Sequence, residues 1–151
     1  MPLRPISHHR QRQQADCLAA CAAMLLDYWQ IPTPYDNLIE LLQIGEAGAP
    51  FRNLIHLEGL GLSVHIEQGQ IDTLRSVLEQ GRPPIVFVAT QELPHWSEAT
   101  NHALVVVGIE DDLIRVHDPS QPDAPQAIAL AEFDLAWLEM DEFYALIEPM
   151  R

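Results

Sequence analysis

Apolar positions along the chain come in runs of different period, and each period predicts a different element. The polar, glutamine-rich stretch 11–16 gives way at Cys17 to an alanine- and leucine-rich run ending near Trp29. This predicts a helix over 17–29, with the Asp16 carboxylate capping its first-turn amides. Thr33 as cap and Pro34 at the first helical position predict a second helix through 35–44, stopped by Gly45. A third is expected over 51–60, ended by Gly59 and Gly61. Beyond Gly61 the period changes to two: Leu62, Val64 and Ile66 alternate with Ser63, His65 and Glu67, the pattern of a half-buried strand.

A short helix over 71–80 comes next, and then three strands are expected, over 85–88, 103–109 and 113–117. The acidic turn Glu110-Asp111-Asp112 separates the last two. A helix over 130–138 and a closing strand over 143–148 complete the series. Helices precede most of the strands, so the fold class is α+β rather than an alternating parallel-sheet design. Residues 91–101 form the one longish segment without clear periodicity, and such loops often frame sites.

At 151 residues, 48% of them hydrophobic, the chain can bury a real core, and a single domain over 1–151 is expected. Its apolar runs are shorter than the roughly 20 residues that span a bilayer, and the N-terminus lacks a hydrophobic signal core. A full-length cytoplasmic protein without a membrane segment is therefore expected. The 22 acidic residues against 8 basic ones give a net charge of −14, which repels phosphate backbones and makes nucleic acid an unsuitable partner. Cys17 and Cys21 stand one helical turn apart with roughly parallel Cβ vectors, poor geometry for a bridge, so both are expected as free thiols.

Position then turns these residues into chemistry. A thiol in the first turn of a helix feels the partial positive charge of unpaired amides, which favours a nucleophilic thiolate at Cys17; Cys21, one turn deeper, reads as a core residue. His102 opens the 103–109 strand and Asp118 follows the 113–117 strand. A hairpin folding at 110–112 brings them together as an imidazole held by a carboxylate. Gln11, on the loop before the helix, offers a side-chain amide beside the Cys17 backbone amide for an oxyanion.

In this order and spacing the residues resemble the C39 peptidases, papain-like cysteine proteases best known as leader-removing domains of bacteriocin exporters. The resemblance rests on Gln11, Asp16-Cys17, Ala20-Cys21, Met24-Leu25 and Tyr28. It continues through Asn101-His102, Val105-Val106-Val107-Gly108, His117-Asp118-Pro119 and Glu132-Phe133 with Trp137. It implies a papain-like fold with the cysteine helix packed on an antiparallel sheet. It also implies Cys17 as nucleophile, His102 as general base and acid, Asp118 orienting His102, and Gln11 as oxyanion donor. A peptide or protein substrate with a glycine-rich junction and no cofactor is implied as well. The family often has glycine directly after the cysteine, where this chain has Leu18, a residue expected to narrow or reshape the cleft.

Taken singly, each residue has a plainer reading: Cys17 a buried thiol, His102 a strand-edge histidine, Asp118-Pro119 a turn. The joint pattern carries the chemical one. A papain-like thioester also serves deamidation and transamidation, and a peptide-binding module on the same fold is a third possibility. His8, His9, His56, His65, His95 and His117 show no metal-ligand spacing with the cysteines, so no metal site is expected. His95-Trp96 reads either as cleft lining or as a loop aromatic pair.

Overall fold

The computed structural model describes residues 4–150. In chain order its elements are α1 (Cys17–Tyr28), α2 (Tyr35–Leu41), a 3₁₀ segment (Phe51–Leu60), β1 (Leu62–Gln68), α3 (Ile71–Glu79) and β2 (Ile85–Ala89). A 3₁₀ turn (Thr90–Glu92), β3 (Asn101–Glu110), β4 (Leu113–His117), β5 (Gln126–Ala129), α4 (Leu130–Leu138) and β6 (Phe143–Pro149) follow. The strands make one six-stranded sheet in the order β1-β6-β2-β3-β4-β5, each neighbour antiparallel to the next.

The sheet is covered on both faces, which explains the near-continuous apolar runs of its middle strands. Ile85, Ala103, Val105, Ala145 and Ile147 point to one side, where they pack with Leu18, Met24, Leu25 and Leu26 of α1 and with Leu54 and Leu57 of the 3₁₀ segment. Their sequence neighbours Val86, Leu104, Val106, Tyr144 and Leu146 point to the other, against Leu74 and Val77 of α3 and Phe133 and Trp137 of α4. α1 is apolar nearly all round because it lies inside the first of these layers.

Several local expectations are corrected. The 51–60 segment is 3₁₀ rather than α-helical. Pro34 takes the cap position with extended backbone, so α2 starts at Tyr35, and the Thr33 hydroxyl donates to the Ile31 carbonyl instead of capping. β5, which was not expected, is four residues long with only Ile128 buried, too short for alternation to register.

One irregularity positions the site. The β3–β4 ladder runs Gly108↔Arg115 but Val106↔Val116, so Val107 is an extra residue in β3. Continued one step past β4, this register sets Asp118 opposite Leu104, on the same face as His102. Without the bulge Asp118 would stand opposite Val105, on the other face, because a one-residue slip reverses every side chain.

Candidate active site

α1 delivers Cys17 at its first position, half-buried, with Leu18 behind it almost wholly in the core at 2% exposure. Both cysteines are free thiols. Asp16 does not cap the helix as expected. Its backbone (φ −93°, ψ 7°) is not the extended conformation of a capping residue, and its Oδ2 accepts instead from the Gln13 amide at 3.1 Å and the Tyr35 hydroxyl at 3.4 Å. The carboxylate thus braces the 11–16 loop. The first-turn amides at Cys17 have no side-chain cap and remain the positive end of the helix.

His102, 3% exposed, places Nε2 2.6 Å from Asp118 Oδ1. A carboxylate only accepts, so Nε2 carries the proton and Nδ1 is the nitrogen left for the Cys17 thiol, which lines the same cleft. Burial pulls the His102 pKa down, but the hydrogen bonds to Asp118 and Cys17 and their charges outweigh it and push it up to about 9. Cys21 behaves oppositely: burial, then the neighbouring charges of Cys17 and Asp118, raise its thiol well above the usual range.

Asp118 is fully buried and accepts five hydrogen bonds. Oδ1 takes His102, the Ser120 amide at 2.9 Å and the Ser120 hydroxyl at 2.7 Å; Oδ2 takes His95 Nε2 and Trp96 Nε1, each at 2.8 Å. Burial alone would raise its pKa, yet these donors and the His102 charge hold it far below the ordinary carboxylate range. Ser120 was not anticipated, although its place two residues after an aspartate is a turn signal. His95 and Trp96 were visible as a pair, but nothing in their spacing named Asp118 as the partner. The N-terminal strap lacks periodicity altogether. In it His8 Nε2 hydrogen-bonds the Asp118 carbonyl at 2.8 Å, the Ile6 carbonyl accepts from His117 Nε2 at 2.7 Å, and the Gln11 amide donates to the Pro119 carbonyl at 2.9 Å.

Gln11 therefore lies beside the 118–120 turn, and its side chain is occupied. Nε2 donates to the Gln13 and Gln14 carbonyls at 2.9 Å each, while Oε1 is buried without a partner. The structure thus joins Cys17, His102 and Asp118 in one chain of contacts and gives Gln11's donors to its own loop.

A cleft of about 510 Å³ opens on Cys17 and His102. Leu18 and Phe87 contribute to its lining, Ala47, Gly48 and Ala49 form a wall of small residues, and Trp96, Thr100 and Asn101 also line it. Gly48 has φ +88° in a tight turn closed by reciprocal 3.1 Å hydrogen bonds with Gly45, a conformation that favours glycine. Leu18 contributes to the cleft lining while itself remaining nearly buried. Among the described residues no group of His, Cys, Asp or Glu is arranged to hold a metal ion, and no helix is long and apolar enough to cross a membrane.

A helix presenting a cysteine to a histidine that a buried aspartate holds, over a two-sided antiparallel sheet, defines the papain-like class. The chain belongs to the Peptidase C39 family, whose profile matches residues 6–143. Solved structures share the fold. The peptidase domain of Streptococcus ComA, a bifunctional ABC transporter involved in a quorum-sensing pathway, superposes with a TM-score of 0.80 at 18% identity, over 97% of this chain and 100% of that one. A double-glycine-motif protease from an AMS/PCAT transporter, solved in complex with its leader peptide, gives 0.79 at 19% identity, over 99% and 95%. A C39-like peptidase from Bacillus anthracis gives 0.78 at 15% identity, over 97% and 95%. No curated protein matches the chain.

Proposed function

We propose that this chain is a cysteine peptidase that hydrolyses a peptide or isopeptide bond through a thioester on Cys17. The observation that carries the reading is the hydrogen bond from His102 Nε2 to Asp118 at 2.6 Å with Cys17 on the same imidazole. Cys17 passes its thiol proton to His102 Nδ1 and its sulfur attacks the carbonyl carbon, and the oxyanion is met by the Cys17 amide and by Gln11 once Gln11 exchanges one of its loop bonds. The C–N bond breaks as His102 gives its proton to the leaving amine. His102 then takes a proton from water, the hydroxide displaces the thiolate, and Asp118 holds the ring throughout.

The substrate is a peptide or protein segment. The small residues Ala47, Gly48 and Ala49 in the cleft lining favour a slim, extended chain, which fits the glycine-rich junction implied by the family and by the leader-bound relative. Two free thiols suit a reducing compartment, and the cytoplasm is the proposed location. Product masses from a peptide library test the reaction. Two fragments whose masses sum to the substrate plus one water are expected, while replacement of an amide group without chain cleavage would make the enzyme a deamidase or transamidase.

The state of Gln11 favours a second reading, a peptide-binding module without turnover, because both hydrogens of its amide are already committed. Tight binding of a peptide that emerges unchanged would establish it.

A further inference from the structure

We infer that His95 is a positioning residue for the Asp118–His102 pair: its imidazole holds the far oxygen of the Asp118 carboxylate so that the near one stays aligned on His102. Its kinetic consequence rests on the proposed peptidase reaction, whereas the alignment concerns three side chains and stands apart from any substrate.

A carboxylate turns easily about its last torsion, which has broad rather than staggered minima. Donors on one oxygen leave that rotation partly free; donors on both fix the plane. In Asp118 the second oxygen is held by His95 Nε2 and Trp96 Nε1, both at 2.8 Å. Since a carboxylate cannot donate, the His95 nitrogen facing it carries a proton, and this histidine is held in one orientation as a donor. Trp96 has a second task, its ring lying against His102 with centroids 4.7 Å apart. His95 does not line the cleft, so its role is separable from substrate contact.

The loop that carries the pair is closed at its base. The fully buried Thr90 donates its amide to the Thr100 carbonyl at 2.9 Å and its hydroxyl to the Glu98 carbonyl at 2.6 Å, and accepts from the Thr100 amide at 2.8 Å. His95 and Trp96 thus reach Asp118 from a fixed base. The other groups around the carboxylate are His102 from β3, Cys17 and Cys21 from α1, Ser120 beyond the turn and His8 on the Asp118 carbonyl. None of these is altered in the variants that test His95.

The test is the titration of the His102 ring, followed by nitrogen NMR in the ring-labelled wild type, His95→Leu and His95→Gln. The wild-type ring should titrate near 9. In His95→Leu the midpoint should fall by about one pH unit, because a less constrained carboxylate stabilises the imidazolium less. His95→Gln, whose amide donates from nearly the same place, should recover most of the fall. On a cleaved peptide, His95→Leu should lower kcat roughly tenfold with KM unchanged. Should His95→Leu not fold, His95→Asn, too short to reach the carboxylate, replaces it. An unchanged midpoint in the donor-deleted variant overturns the inference and leaves His95 a loop brace. A raised midpoint overturns it too, since His95 would then compete with His102 for the charge, as does failure of glutamine to recover the shift. A wild type that cleaves nothing yet shows the expected titrations defeats the peptidase reading and not the positioning role.

Discussion

Asp118→Ala is expected to cost the protein about 3–5 kcal/mol of stability and roughly 10⁴-fold in peptide turnover. The stability loss arises because one fully buried carboxylate satisfies donors from His102, His95, Trp96 and Ser120, and its removal leaves these largely buried donors without their acceptor. The turnover loss arises because His102 is then free to choose the wrong tautomer and orientation. The stability difference from wild type also has a defined pH window. The Asp118 pKa is depressed on folding, so its contribution is full above about 3.9, the unfolded carboxylate value, and is lost as pH falls further. The His102 pKa is raised, so its contribution is full below about 6.5, the unfolded imidazole value. It is lost as pH rises through about 9. Urea unfolding of the two proteins should therefore differ most between pH about 4 and about 6.5, less as pH falls below that range, and only in part less as pH rises through about 9, where the His102 charge is lost but Asp118 stays ionised. A difference independent of pH would mean that Asp118 contributes packing rather than charge.

Cys17→Ala should remove turnover almost entirely, by roughly 10⁶-fold if the cysteine is the nucleophile, while leaving the fold intact. Cys17 is half-buried at the edge of the core, so losing its sulfur opens little cavity. The same change removes one of the two hydrogen bonds that raise the His102 pKa, so that ring should titrate below the wild-type value near 9. Initial rates on a cleaved peptide, read beside urea unfolding, separate the two effects. Turnover that survives in a folded Cys17→Ala protein would remove the thioester from the mechanism.

How much of this was legible in the sequence depends on the range of the forces involved. β1, β2, β3, β4 and β6 were readable because each carries either strict alternation or an apolar run long enough to signal two-sided burial. β5 was not, since four residues with one buried side chain carry no period. That Cys17, His102 and Asp118 come close together was readable because each stands at the end of an element and the 110–112 turn folds two of those ends side by side. The bulge at Val107, which puts Asp118 on the His102 face, was not, because its valines look like any interior strand. Asp16 misled for a related reason: a cap-type residue before a helix is a local signal, and the tertiary contact with Tyr35 and the loop amide of Gln13 outcompeted it. The two donors on the second oxygen of Asp118 come from 22 and 23 residues away in the chain, a pairing that local pattern does not encode.

The pairing of Cys17 with His102 is tested most directly by the rate at which iodoacetamide alkylates each cysteine across pH. The two thiols are resolved by mass spectrometry, in the wild type and in His102→Ala. Cys17 should react far faster than Cys21 below pH about 7 and slow markedly when His102 is gone, because His102 is the base beside it in the proposed mechanism while Cys21 is buried. Equal, slow reaction of both thiols in both proteins would contradict it.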